Sequence, residues 1–309
     1  CCSGLLTPFR ARTPSRVCRC CIPVTTIAAL SRDADPADVF AAAIDGDRRA
    51  LARLLSLVER GGAAAQTVGA LAHASSGGAH TVGITGAPGA GKSTLTSALV
   101  AAGRADGERL GVLAIDPSSP FTGGAILGDR IRMQDHSLDD GVFIRSMATR
   151  GHLGGLSLAT PQAVRVLDAV GFPWVVVETV GVGQVEVEIV GAADTTVVVV
   201  NPGWGDAVQA NKAGLMEIAD VFVINKADRP GAGDTRRDLE AMLDLTASTS
   251  APGAWRPPVL DTVATDNRGL EELWDAVLAH RDHITADGEL ELRRNRRASE
   301  ELTRSVAAR

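Results

Sequence analysis

The stretch TVGITGAPGAGKST, Thr81 to Thr94, decides the fold. An apolar run at 81–85 enters GAPGAGKST, which fits the pattern GxxxxGK[ST] with Gly86, Gly91, Lys92 and Ser93. Ala87, Gly89 and Ala90 complete the loop, and Thr94 continues the helix that should follow. Glycines let backbone N–H groups curl round a β-phosphate. Lys92 can reach β- and γ-oxygens, and Ser93 can ligate magnesium at a helix N-terminus. A chance match occurs in about one chain of this length in a hundred. The strand before and the helix after argue further against a mere glycine-rich turn.

Outward from this loop, apolar runs recur at 111–115, 142–145, 174–178, 195–200, 221–225 and 258–263, each separated by enough chain for a helix. Runs this apolar suit strands buried on both faces. The expected fold is α/β: a mostly parallel sheet in a P-loop domain over 79–285, with an N-terminal helical extension at 36–78 and a C-terminal helix at 286–309. In the N-terminal part, Leu51, Leu54, Leu55 and Val58 form one stripe of an amphipathic helix that Gly61-Gly62 ends. SSGGAH (75–80) reads as a short linker.

The run VFVIN closes on NKAD, Asn225 to Asp228. A carboxylate at Asp228 can accept from guanine N1–H and the exocyclic amino group. Adenine would leave it unpaired, at several kcal/mol, which selects GTP over ATP. Asn225 would tie the base loop to the phosphate loop, and the Lys226 stem would cover the ring. DTVAT (261–265) could offer the backbone N–H of Ala264 to guanine O6. Three acids join the set: Asp116 in AIDPSSP, Asp129 in GGAILGDR and Glu178 in VVVETVGVGQ. Strand-end carboxylates at one edge of a parallel sheet converge where nucleotides bind, and magnesium accepts oxygen ligands with water between. Asp116 as the cap of a turn is the plainer alternative.

Glu178 stands where most P-loop GTPases have Asp, and Gly181 is followed by Val182, which cannot orient water. Hydrolysis should therefore be slow and draw on other loops or a partner. NPGWGDAVQANKAG (201–214) is a candidate, with Gln209 and Lys212 about one turn apart. It reads as either a loop with a solvated lysine or a mobile segment whose Lys212 reaches nucleotide or partner.

The 309 residues carry a net charge of −6, which disfavours nucleic acid, and no apolar run reaches the length of a membrane span. All five cysteines lie in the first 21 residues at spacings poor for zinc. Residues 1–35 read as a disordered or non-native extension, with translation expected to begin at Val24. A folded body without cysteines suits the reducing cytosol, so the expected localisation is cytoplasmic. The charged tail ELELRRNRRASEELTRSVAAR (289–309) has few apolar anchors and reads as either a solvated helix or an arm completed by a partner.

GAPGAGKSTL, AIDPSSPFTGGAILGDRIRM, GHLGGLS, VVVETVGVGQVEVEI and GLMEIADVFVINKAD together resemble the MeaB/ArgK group of GTPases from about residue 36 to 285. The resemblance implies a GTP/GDP- and Mg2+-dependent chaperone that gates adenosylcobalamin loading into methylmalonyl-CoA mutase and protects that enzyme. It places Asp116 and Asp129 in a first switch, Glu178 and Gly181 in a second, and Asp206, Gln209 and Lys212 in a third, through which the mutase is expected to stimulate hydrolysis. It assigns catalytic parts to Lys92, Asp129, Glu178, Gly181, Gln209 and Lys212, and magnesium to Ser93, Asp116, Asp129 and Glu178. Trp204 and Ala213 depart from the third switch's usual Gly and second Lys. A homodimer through a C-terminal helical arm is also implied, although the segment ending at Arg309 is short for one. An ATP-dependent kinase or transport accessory and a metal-delivery GTPase are the alternatives. NKAD weighs against the first, and the lack of a Cys or His metal-ligand pattern outside residues 1–23 against the second.

Overall fold

The computed structural model describes residues 34–116, 136, 138–148, 159–179, 193–203, 217–247 and 253–307. Three helices open the described chain: α1 (Pro36–Ile44), α2 (Arg48–Arg60) and α3 (Gly62–Ser75). Asp35 and Asp47 cap the first two, Asp47 accepting from the N–H groups of Arg49 and Ala50. Alternation follows, through β1 (His80–Gly86), α4 (Lys92–Ala105), β2 (Leu110–Asp116), β3 (Val142–Ala148), α5 (Ala159–Ala169), β4 (Trp174–Thr179), β5 (Thr195–Val200) and β6 (Val221–Asn225). The chain continues through α6 (Ala232–Ala247), β7 (Val259–Thr262), α7 (Leu270–Ala286) and α8 (Glu289–Ala307). Each expected strand run became a strand, and every ladder is parallel.

The sheet order is β3-β2-β4-β1-β5-β6-β7. Successive strand residues face opposite sides, so each Val-rich run feeds two cores. Val82, Val112, Val176, Val197 and Val223 pack with Leu95, Leu99, Leu273 and Trp274 of α4 and α7 on one face. On the other, Leu113, Phe143, Val175 and Val177 pack with Leu51, Leu54 and Leu55 of α2 and Leu167 of α5. Val198, Phe222 and Ile224 of that second face meet Leu239 and Leu243 of α6. The N-terminal helices thus bury their stripe against the sheet itself. Among the described residues no helix is long and apolar enough to cross a membrane.

From β1 the chain proceeds to β2 on one side, and from β5 to β6 on the other. This reversal opens a crevice at the carboxyl ends of β1 and β5, where an open parallel sheet binds its ligand.

The opposite edge is closed by charge. Asp194 and Asp220 precede β5 and β6 and are almost wholly buried. Arg293 grips Asp220 through two 3.0 Å bonds, and Arg294 and Arg297 both bind Asp194. The tail expected as a solvated helix or partner-completed arm is thereby docked on its own chain. Apolar content missed this because the anchors are ionic. Arg294 also donates to the carbonyls of Gly77 and Ala79, whose N–H groups Asp168 receives. The linker before β1 is thus held on both its donor and its acceptor side.

Candidate functional site

The loop between β1 and α4 is shaped by two glycines. Gly86 has φ of 137°, and a Cβ there would lie 2.0 Å from the Val199 carbonyl oxygen of β5. Gly91 has φ of 90° with room for a Cβ blocked by Asn225 Nδ2 at 2.5 Å. Only glycine allows both the left-handed turn and the close approach. Gly91 leaves the first turn of α4 with no side-chain cap, so its N–H groups face the loop. That arrangement suits an anion.

Lys92 folds back into the loop, its Nζ donating to Gly86 O at 2.7 Å and Ala87 O at 3.0 Å. The ammonium therefore sits inside the curl of backbone that a phosphate would occupy. Ser93 Oγ donates to Glu178 Oε1 at 2.6 Å, joining the first turn of α4 to the end of β4. Both side chains are buried, at 6% and 4% exposure. Two hard oxygen donors this close fit a divalent magnesium ion, which prefers oxygen ligands. Thr179, next along β4, donates to Ile84 O and Thr85 Oγ1 and so ties that strand end to β1.

Asn225 is the junction of the site. Its Nδ2 donates to Ala90 O in the phosphate loop at 2.9 Å. Its Oδ1 accepts from Thr262 Oγ1 at 3.2 Å and from Ala264 N–H at 3.3 Å. One amide, 2% exposed, joins the loop after β1 to the ends of β6 and β7. The Ala264 N–H, expected to be offered outward, is engaged here in holding Asn225. Lys226 has φ of 60°, a costly conformation for a residue with a Cβ, and its Nζ donates to Gly89 O at 2.6 Å. Its stem spans the gap between the two loops, and Asp228 is exposed beyond it.

The structure brings together Gly86, Ala87, Gly89, Ala90, Gly91, Lys92, Ser93, Glu178, Asn225, Lys226 and Ala264. Thr94 lies beside them in the first turn of α4. Asp116 ends β2, level with Ala148 of β3, and its side chain is outside the described set. Asp129, Gly181, Asp206, Gln209 and Lys212 lie outside the described residues. Sequence reasoning missed Thr262 and the Lys226–Gly89 tie. The only signal for Thr262 was its place, level with Asn225 on the neighbouring strand.

A family profile described as "Methylmalonyl Co-A mutase-associated GTPase MeaB" matches residues 51–309. A Pyrococcus abyssi protein described as a putative GTPase is 56% identical over 262 residues, covering 85% of this chain and 81% of that protein. The Escherichia coli GTPase ArgK is 37% identical, covering 73% of this chain and 68% of its own length. A mouse protein described as "Methylmalonic aciduria type A homolog, mitochondrial" is 34% identical over 69% of this chain and 52% of its own. Among solved structures, one described as an LAO/AO transport system kinase matches with a TM-score of 0.72 and 28% identity, covering 91% of this chain and 86% of that one.

Proposed function

The chain belongs to the MeaB family of GTPases, and from that premise we propose that it is a slow, partner-stimulated GTP switch. Its client in this reading is an adenosylcobalamin-dependent methylmalonyl-CoA mutase, whose cofactor loading it gates and whose active state it protects. The family description supports the mutase as client. The observation that carries the nucleotide part is the Asn225 side chain, which fixes Ala90 of the phosphate loop against Ala264 of the base side. In this reading one ligand spans both loops, with its phosphates at one end and its base at the other.

In this reading Lys92 exchanges its two loop carbonyls for β- and γ-phosphate oxygens, and backbone N–H groups from Ala87 to Thr94 line the phosphates. Asp228 accepts the two donors of the guanine edge, with the Lys226 stem over the ring. Ser93 and Glu178 would hold Mg2+, with Asp116 and Asp129 as further acids of its site. When bound, Mg2+ neutralises charge on the transferred phosphoryl oxygens. Val182 offers no polar group to an attacking water, so Gln209 and Lys212 complete the site when the client docks.

The test is the GTP hydrolysis rate with and without methylmalonyl-CoA mutase from the same organism. Strong stimulation supports the client. Unchanged turnover with GTP tightly bound leaves a GTPase and refutes the mutase assignment.

A further inference from the structure

At the outer corner of the sheet's carboxyl edge, α2 binds the last residue of β3 through the side chain of Glu59. Glu59 lies in the last turn of α2, where an acid faces the negative end of the helix dipole at a penalty of about 0.3–1 kcal/mol. Nothing in the apolar stripe of α2 calls for an acid there. What it binds accounts for it. Glu59 Oε1 accepts the Ala148 N–H at 3.2 Å, and Oε2 accepts Arg145 Nη2 at 3.0 Å. The same Arg145 nitrogen donates to Ser56 Oγ, one turn back on α2. Glu59 is only 12% exposed, so these bonds are largely shielded from water.

Ala148 is the last residue of β3, and among the described residues β3 is an edge strand of the sheet. An amide at such an edge has no ladder to hold it. Ala148 is level with Asp116, the last residue of β2. Whatever fixes the end of β3 therefore fixes the point from which Asp116 leaves the sheet. We propose that Glu59 is a positioning residue for GTP hydrolysis, pinning the paired ends of β3 and β2 from the N-terminal helices. The proposal rests on the reading of Asp116 as an acid of the nucleotide site. It makes α1 to α3 a brace for that site, in addition to a cover for the sheet. The Ala148 bond sets position, and the Arg145 ion pair contributes stability.

Three variants of the full chain separate these parts. Glu59→Ala removes both contacts. Glu59→Gln keeps a carbonyl for Ala148 but loses the charge facing Arg145. Arg145→Ala loses only the ion pair and the Ser56 bond. Glu59→Ala is expected to lower kcat about tenfold, the scale of a small misplacement, with KM for GTP within about twofold. Amide exchange should quicken at Ala148 and stay unchanged at Val82 in β1. Glu59→Gln should recover most of kcat. Arg145→Ala should lower Tm while keeping kcat. Full kcat in Glu59→Ala, or an equal loss in Arg145→Ala, overturns the proposal. Asp116→Ala distinguishes the failures: if it is inactive beside a fully active Glu59→Ala, the proposal alone falls. If Asp116→Ala keeps full kcat, the reading beneath the proposal falls with it.

Discussion

Ser93 Oγ, on the first turn of α4, donates to Glu178 Oε1 at 2.6 Å from the end of β4. Glu178 is level with Ile84, two residues before the phosphate loop starts at Gly86. The long glutamate arm reaches the serine from that lower position, which accounts for an acid one methylene longer than Asp. Glu178→Asp should withdraw the carboxylate from Ser93 and reduce single-turnover GTP hydrolysis by at least about tenfold. Ser93→Ala should weaken Mg2+-dependent GTP binding while leaving GDP affinity in EDTA within about twofold. Equal GTP affinity with and without Mg2+ in the unaltered protein would remove the metal from this pair.

Asp228 is exposed at the end of the base loop, where Asn225 below it is buried and bonded through both its amide nitrogen and its amide oxygen. The two should respond differently. In the proposed reading Asp228→Ala would remove two charge-assisted bonds to guanine, and it should cost about 2–4 kcal/mol of GTP affinity with little change in Tm. Asn225→Ala should lower both, since it also unties Ala90 from Ala264. Calorimetry with GTP and ATP, paired with thermal melts, separates the cases. Tighter ATP than GTP binding in the unaltered chain would favour a kinase-like reading over this one.

The strands were legible because each is buried on both faces and so reads as an unbroken apolar run. Their order was not. WVVVET, TTVVVV and VFVIN offer nearly the same surface to any neighbour, and only the helices between them decide which pair. The Gly86, Lys92 and Asn225 geometry was legible because spacing alone places those groups on one loop and one strand end. The positive φ of Lys226 was not, being imposed by the tie to Gly89. The amino-edge clasp had a signal that went unread: AD directly precedes both TTVVVV and VFVIN, and RRNRR stands in the tail. Two buried acids at strand starts need cations, and three of those arginines supply them.

That clasp should dominate the stability of the C-terminal part. Asp194 is 1% exposed, receives Arg294, Arg297 and the Thr81 N–H, and is held near a pKa of about 2. Burial alone would raise that value, and the arginines overcome it. Asp194→Ala strands two arginines and an amide, so urea unfolding should show a loss of about 3–5 kcal/mol. Arg297→Ala leaves Arg294 in place and should lose less. Equal losses would mean that the arginines act as a unit.

His80, at the start of β1, gives the fold a mild sensitivity to acid. Burial lowers its pKa from 6.5 to about 4, against the opposing pull of Asp194 and with Arg294, His280 and Arg281 assisting. The folded state thus keeps His80 neutral where the unfolded chain binds a proton. Its contribution is complete above pH 6.5 and is lost progressively as pH falls towards 4. Between pH 7 and 5 the loss amounts to about 2 kcal/mol. His80→Gln, which can still bond Thr195 Oγ1, should flatten this part of the pH dependence. Urea titrations at pH 7 and pH 5 measure it. The same drop in both proteins would assign the acid sensitivity elsewhere.

In the proposed switch, Val182 after Gly181 would give an attacking water no polar side chain, and positioning is the larger part of phosphoryl-transfer catalysis. Gln209 and Lys212 follow β5, the strand beside β1 in the sheet. A cation delivered from there on client docking would neutralise charge on the transferred group, an effect worth several orders of magnitude where an arginine supplies it. Lys212→Ala should therefore leave GTP affinity and basal turnover near normal and abolish stimulation by the mutase. Lys92→Ala should instead lose tight nucleotide binding altogether. The two are told apart by measuring affinity and turnover on the same preparations, with and without mutase. Full stimulation in Lys212→Ala would place the missing catalytic group on the mutase itself.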